Sequence, residues 1–206
     1  MNHKYITPFR YMGGKTRSLG VLYKHFPESD IFDDGFGGSA CVLLNKPRCK
    51  TDIIAEKNDK LRNIYVQVRD NLSEVRSRLR KAIPQIDKDR YVSLREHAHV
   101  GTPVDRAVKA LIVYSGSFNG QYGSGYHIEA PRRLTLTYKR LQWMSDRLQD
   151  VIIYDDVWKV IADYKDNPDV FFYFDPPYVG TEDYYDVGKG RKKEGFGKRT
   201  TFVYPF

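Results

Sequence analysis

The chain has 206 residues, 41% of them hydrophobic and 29% charged, with 34 Lys and Arg against 26 Asp and Glu for a formal charge of +8. That length suits one domain, or one domain with a substantial insertion, and the composition excludes wholesale disorder. Only Cys41 and Cys49 occur, which excludes a disulfide scaffold or zinc ribbon, and no apolar run approaches the roughly 18 residues of a membrane span. The first residues, Met-Asn-His-Lys-Tyr, lack the apolar core of a signal peptide, so a soluble protein of a reducing compartment is expected. Basic excess combined with 16 Tyr and 11 Phe suits a nucleic-acid partner, because cations track phosphates and rings stack on bases. Taken alone, that balance is equally common in basic soluble proteins.

Along the chain, Thr16 to His25 reads as a short helix stopped by Pro27. Ile31 to Asp34 is a short buried strand that runs into the small-residue turn Gly35 to Ala40 and an apolar helix start at Cys41. Asp52 to Glu56 is a second strand ending in an acid. Strand, glycine turn, helix, strand is the order of a βαβ unit, which builds parallel sheets. From Asp59 to about Ala82, Leu61, Ile64, Tyr65, Val68, Leu72, Val75 and Leu79 recur at helical spacing, and the opposite face carries Arg62, Arg69, Arg76, Arg78, Arg80 and Lys81. Such a helix is more commonly a core-packing element with a solvated basic face than one that reads DNA.

Thr102-Pro103 opens another helix, with Thr as N-cap and Pro in the first turn. Gly116 to Gly125 and the stretch through Arg133 read as loop or hairpin, followed by a helix from about Thr137 to Leu148. Val151 to Tyr154 and Asp169 to Phe174 resume the strand pattern, and a Gly- and Lys-rich tail closes the chain. His97 and His99 stand two apart, a poor chelating interval on one helix, so a solvated helix is expected there. The expected fold is an α/β sheet interrupted by a mainly helical insertion. Residues 60–148 hold 17 Lys and Arg against 8 Asp and Glu, a net +9, which leaves −1 for the rest.

Asp175-Pro176-Pro177-Tyr178, directly after the last strand, is the strongest chemical feature. Ligands of open α/β sheets bind at the carboxyl ends of strands. A carboxylate on a turn stiffened by two prolines is a positioned acceptor there. The exocyclic amino group of a nucleobase is a poor nucleophile, because its lone pair is delocalised into the ring. Asp175 and the carbonyl of Pro176 could hold both amino hydrogens and aim the lone pair at an electrophile, while Tyr178 stacks on the base. Four residues alone are as readily an ordinary strand-ending turn. The turn Asp34 to Ala40 lets a ligand approach backbone and helix start closely, yet it is not G-x-G-x-x-G and is by itself a plain strand-to-helix turn. Glu56 at a strand end could accept from ribose hydroxyls or serve as a helix N-terminal acid. Gly14-Lys15-Thr16 resembles the end of a P-loop, but Phe9 stands where the first glycine belongs, which excludes that motif.

In this order the residues resemble the Dam-type (alpha-class) N6-adenine DNA methyltransferases. An aromatic followed by x-Gly-Gly-Lys appears as Tyr11 to Lys15. Acid-Pro-Phe-x-Gly-x-Gly appears as Asp34 to Ala40, with Gly35 in place of Pro and Ala40 in place of the last Gly. Asp-x-Asn appears as Glu56-Lys57-Asn58, and Phe118-Asn119-Gly120 matches a signature of the target-recognition insertion. The catalytic motif matches without change at Asp175 to Tyr178.

The resemblance implies a Rossmann-like S-adenosylmethionine-dependent methyltransferase sheet, formed by residues 1–59 and 149–206, with a DNA-recognition insertion at 60–148. Since 28 residues follow Tyr178, an abbreviated C-terminal part of the sheet is expected. It implies methyl transfer from S-adenosylmethionine to N6 of an adenine flipped out of double-stranded DNA, in the cytoplasm of a bacterial or phage-infected cell. No metal is implied, because the sulfonium is itself the electrophile. Asp175, Pro176, Pro177 and Tyr178 would be catalytic. Tyr11, Gly13, Lys15, Asp34, Phe36, Gly38, Glu56, Asp156 and Asp175 would surround the cofactor. Phe118, Asn119, Gln121, Tyr122, Arg132 and Arg133 would meet DNA. GATC-specific relatives carry an Arg close after the Asn-Gly pair, whereas Gln121-Tyr122-Gly123 follows here, so GATC recognition does not carry over. The competing reading is a truncated, catalytically weak relative that binds DNA and cofactor.

Overall fold

All four apolar runs expected as strands pair in one parallel sheet in the computed structural model, which describes residues 5–177. β1 (Ile31–Asp34), β2 (Thr51–Ala55), β3 (Ile152–Tyr154) and β4 (Val170–Tyr173) lie in the order β3-β2-β1-β4. Asp34 stands opposite Ile54 on one side and Tyr173 on the other, so the strands end together. The chain steps from β1 outward through β2 to β3, then crosses to the far side of β1 for β4. The strand order therefore reverses between β1 and β4, and the crevice at their carboxyl ends is the natural ligand position of such a sheet.

Several helices differ from the sequence reading. The segment expected as one helix over 59–82 is two, α3 (Asp59–Asp70) and α4 (Leu72–Ala82). Asn71 breaks it at φ −128°, ψ 34°, where its side-chain amide donates to Gln67 Oε1. Its short amide competes with the helical ladder, as Asn does in general. The helix expected over Thr16 to His25 shrinks to α1 (Leu19–Leu22), with turns around it. His97 caps the end of α5 (Lys88–Glu96), and His99 lies in the turn beyond rather than on a helix. α6 (Pro103–Gly116) opens on a full capping box between Thr102 and Asp105. The last helix of residues 60–148, α7 (Ala130–Leu148), starts at Ala130, not near Thr137, so Pro131, Arg132 and Arg133 form its first turn. Pro at N1 or N2 loses no intrahelical bond, and it opens that helix rather than extending the loop. α2 (Cys41–Asn45) and α8 (Val157–Tyr164) complete the set.

The helices of residues 60–148 and one face of the sheet share a single core. Phe9, Phe32, Leu43 and Ile54 belong to the same buried cluster as Leu61, Ile64, Leu111, Leu134, Leu141 and Val151. Arginines brace this junction. Arg69 donates to Val151 O at 3.0 Å, Arg140 to Thr7 O at 2.7 Å, and Arg147 to the carbonyls of Leu43, Leu44 and Lys46. Arg48 reaches back to the carbonyls of Asp146 and Gln149. A charged donor on a carbonyl contributes about 1.5–3 kcal/mol. Three arginines of residues 60–148 are thus committed to holding the fold.

The second sheet face buries Ile53, Ala55 and Val160, with Phe172 and Ile31 against them. Asp33 lies on this face, in register between Ile53 and Phe172. It is fully buried, and neither carboxyl oxygen has a hydrogen-bond partner among the described residues. Burial alone pushes its pKa up to about 7. An acid with a raised folded-state pKa contributes fully below its unfolded value, near 4, and loses that contribution as pH rises through about 7. Asp33→Val is therefore expected to stabilise the fold by roughly 1–3 kcal/mol at pH 8 and by less at pH 5. Thermal melts of both proteins at the two pH values check this; an equal effect at both would contradict it.

Candidate active site

Four segments converge at the carboxyl edge beside the switch point. The first is the turn leaving β1. Gly38 sits at φ +55°, and a Cβ there would lie 2.8 Å from the Tyr11 ring, so only glycine allows both the turn and the close approach. Ala40, where the resembling family has glycine, also adopts a left-handed conformation, φ 58°. That conformation costs an alanine about 1 kcal/mol. Tyr65 of α3 donates its hydroxyl to Gly38 O at 2.5 Å and so pins the turn from below. The sequence assigned Tyr65 only to the core, since a helical period shows which face is buried but not what a hydroxyl bonds.

Glu56, just past β2, is the second component. Its carboxyl accepts the backbone N–H of Gly38 and of Asn58, each at 2.8 Å, and so ties the two strand ends together. Burial raises its pKa to about 7, against the lowering effect of those two N–H groups and of Arg62. Asp34 is buried too and accepts the Leu43 N–H at 3.3 Å. Its carboxyl is pushed well above the ordinary range, first by burial and then by the charge of Asp33.

The third component is the loop Tyr11 to Lys15. Its Lys15 Nζ lies 2.5 Å from Asp175 Oδ2, an ion pair with both partners about a quarter exposed. The Lys15 N–H rests on the Cys41 sulfur at 3.2 Å, so the buried Cys41 anchors this loop as well as packing. The ring of Tyr11 lies 5.6 Å from that of Tyr114 on α6. Gly13 takes a positive φ of 81° and its carbonyl accepts from Lys15 Nζ.

The fourth is the end of β4. Phe174, Asp175, Pro176 and Pro177 follow the strand, and the Phe174 ring meets Phe36 edge-on at 6.1 Å. A Cβ at Gly35 would lie 2.6 Å from Phe174, so the proline that the resembling family carries there would clash with this ring. Asp156 caps α8, accepting from Trp158 N–H at 3.0 Å, and the next residue, Val157, reaches within 2.9 Å of the same Gly35 position. Tyr178 lies outside the described residues, as does the tail.

The candidates for DNA contact lie on the same edge. Met12 N–H donates to Gly120 O at 3.2 Å, and a Cβ at Gly120, φ +73°, would sit 2.7 Å from the Tyr11 backbone. The loop between α6 and α7 is thereby joined directly to the Tyr11 loop. A single antiparallel bridge, Ser117 with Tyr126, closes it. Phe118 and Asn119 are exposed, Asn119 in a left-handed conformation, and Gln121 is half-buried. Arg132 is exposed and pairs with Glu129. Arg133 holds the loop, donating to Ser117 O at 3.1 Å and lying 3.0 Å from His127 Nε2. Tyr122 points inward: it is 7% exposed, with its ring edge-on to Tyr114 at 5.0 Å. The sequence did not single out Ile128, which is 82% exposed on this loop.

The described residues contain no helix long and apolar enough to cross a membrane. A family model for D12 class N6 adenine-specific DNA methyltransferases matches residues 11–202. The chain is also similar to the type II methyltransferase M1.LlaDCHI of Lactococcus lactis subsp. cremoris. They are 25% identical over 196 aligned residues, which cover 84% of this chain and 66% of that protein. The chain thus spans just under two thirds of that relative's length.

Proposed function

The chain belongs to the D12 class of N6 adenine-specific DNA methyltransferases, and from that premise we propose that it methylates N6 of an adenine flipped out of duplex DNA, using S-adenosylmethionine. The observation that carries the reading is the placement of Asp175 at the switch-point edge, beside Lys15 and facing the turn that Glu56 braces. Base flipping follows from chemistry, since a paired adenine's amino group cannot be reached inside the stack.

The arrangement suits the proposed methyl donor. Close approach is possible at Gly38, whose backbone lies under the Tyr11 ring, and Glu56 in its ionised form favours a positively charged ligand. Glu56 would take ribose hydroxyls, Asp156 the adenine end, and Tyr11, Gly13, Lys15, Phe36 and Gly38 would line the rest. The bound donor supplies a methyl carbon on a sulfonium, from which sulfur leaves with the C–S bonding pair as a neutral thioether. Asp175 and Pro176 O accept the two amino hydrogens of adenine and turn its lone pair toward that carbon. Pro177 stiffens the turn that sets their spacing. Asp175 is the nearest base for the proton that nitrogen sheds once alkylated. Lys15 holds Asp175 as an ion pair until the amino group takes its place.

Residues 60–148 would form the target-recognition insertion, with Phe118, Asn119, Gln121 and Arg132 offered to the duplex and Arg133 and Tyr122 supporting the loop from behind. DNA in the cytoplasm would be the substrate. Incubation with duplex DNA and methyl-labelled S-adenosylmethionine is expected to yield N6-methyladenine on nucleoside digestion. Cofactor binding by calorimetry with no labelled adenine would instead favour a non-catalytic DNA- and cofactor-binding protein.

A further inference from the structure

A second basic surface lies away from the cofactor edge. Between α4 and α7 runs a groove of about 700 Å³, lined by Ser73, Arg76, Ser77, Arg80 and Lys81 on one wall and Tyr138 and Gln142 on the other. The Arg76 guanidinium lies 5.0 Å over the Tyr138 ring. Among the described residues, no carboxylate pairs with Arg76, Arg80 or Lys81. Other arginines of residues 60–148 are committed to the fold: Arg69, Arg140 and Arg147 donate to carbonyls, and Arg78 pairs with Glu74 and Asp105. Arg76 and Arg80 are four residues apart on one helix face, where like charges repel. Beyond the Arg76–Tyr138 contact, folding gains no ion pair from that placement, and the charge is presented outward.

We infer that this groove takes the phosphate backbone of duplex DNA, as a contact separate from the recognition loop; the inference rests on the methyltransferase reading above. Charge selects a polyanion. Serine hydroxyls beside arginine suit phosphate oxygens, and the ring of Tyr138 holds Arg76 in place. The surface is also continuous with the loop. Arg132, Thr135, Lys139 and Gln142 are all exposed and follow one another at intervals of three and four along α7. They form one ridge from the recognition loop into the groove. Ten residues of helix make that ridge about 15 Å long, the span of four or five base pairs. Asp146, which accepts from the Gln142 amide at 2.8 Å, marks its far end.

The test is the salt dependence of duplex DNA binding, measured by fluorescence anisotropy on the whole chain. Each phosphate contact contributes about 0.9 to the slope of log K against log salt. Arg76→Gln with Arg80→Gln and Lys81→Gln is expected to reduce that slope by about 2.7, and Arg80→Gln with Lys81→Gln alone by about 1.8. The double variant spares the Arg76–Tyr138 stack, so it reads charge without packing. Lys50→Gln with Lys165→Gln, two exposed lysines paired with Asp30 and Asp166, serves as the control and is expected to leave the slope unchanged. An unchanged slope in the groove variants overturns the inference and leaves the methyltransferase reading standing. So does an equal fall in the control, or a fall seen with single-stranded RNA but not with duplex DNA. Wild-type protein that neither binds nor methylates duplex DNA removes both.

Discussion

Asp175→Ala is expected to lower the single-turnover rate of methyl transfer to duplex DNA by roughly 10²–10⁴-fold with cofactor and DNA both saturating. Two effects combine. The adenine amino group loses the charged acceptor that orients its lone pair, and Lys15 loses its partner at 2.5 Å. Under the proposed function the unneutralised ammonium repels a cationic donor nearby, so cofactor affinity is expected to fall as well, though by less than the rate. Asp175→Asn is expected to be nearly as damaging: one of its two amide positions donates where the amino group also donates. Rapid-quench measurement of labelled product at saturation separates the rate from the affinity. Transfer by Asp175→Ala at close to the wild-type rate would show that the chemistry lies elsewhere.

The second large effect concerns Glu56 and pH. Burial holds its carboxyl at about 7, so it changes charge within the working range. Hydroxyl donors and a positive ligand both favour the ionised form. Cofactor binding therefore expels a proton, and affinity is expected to rise by about tenfold from pH 6 to pH 8. Glu56→Gln keeps the shape and removes the titration. It is expected to weaken binding by tenfold or more at pH 8 and to flatten the profile. Calorimetry in buffers of different ionisation enthalpy counts the proton directly. A profile that keeps its slope in the variant would assign the titration to another group.

The strands could be read from sequence to within about one residue, because each is an apolar run bounded by turn residues and a buried parallel strand needs little else. The candidate segments singled out from sequence also come together: Tyr11 to Lys15, Asp34 to Ala40, Glu56 and Asp175 all meet at one edge. What escaped depends on direction rather than type. Asp33 and Asp34 are indistinguishable as letters, yet strand parity sends one under the second face without a partner and the other toward Leu43. Tyr122 resembles its exposed neighbours, but its ring turns into the core against Tyr114. Pro131 reads as a loop residue and is a helix opener. The arginines show the same limit most clearly, since whether a guanidinium meets a carbonyl, a carboxylate or solvent is decided by segments that can lie more than a hundred residues away.

The shared core bears on how specificity can change. Because Leu61, Leu111 and Leu141 pack in one cluster with Phe9, Phe32 and Leu43, the helices of residues 60–148 are not a separable module. Transplanting residues 60–148 from a relative would exchange half the hydrophobic interior along with the reader, and it would have to rebuild every arginine-to-carbonyl brace. The segment from Phe118 to Ile128 is different, being tied at its base by the Ser117–Tyr126 bridge, the Met12–Gly120 hydrogen bond and Arg133. That one loop can therefore vary in sequence over a fixed frame, and under the proposed function a change of target sequence is expected to fall there.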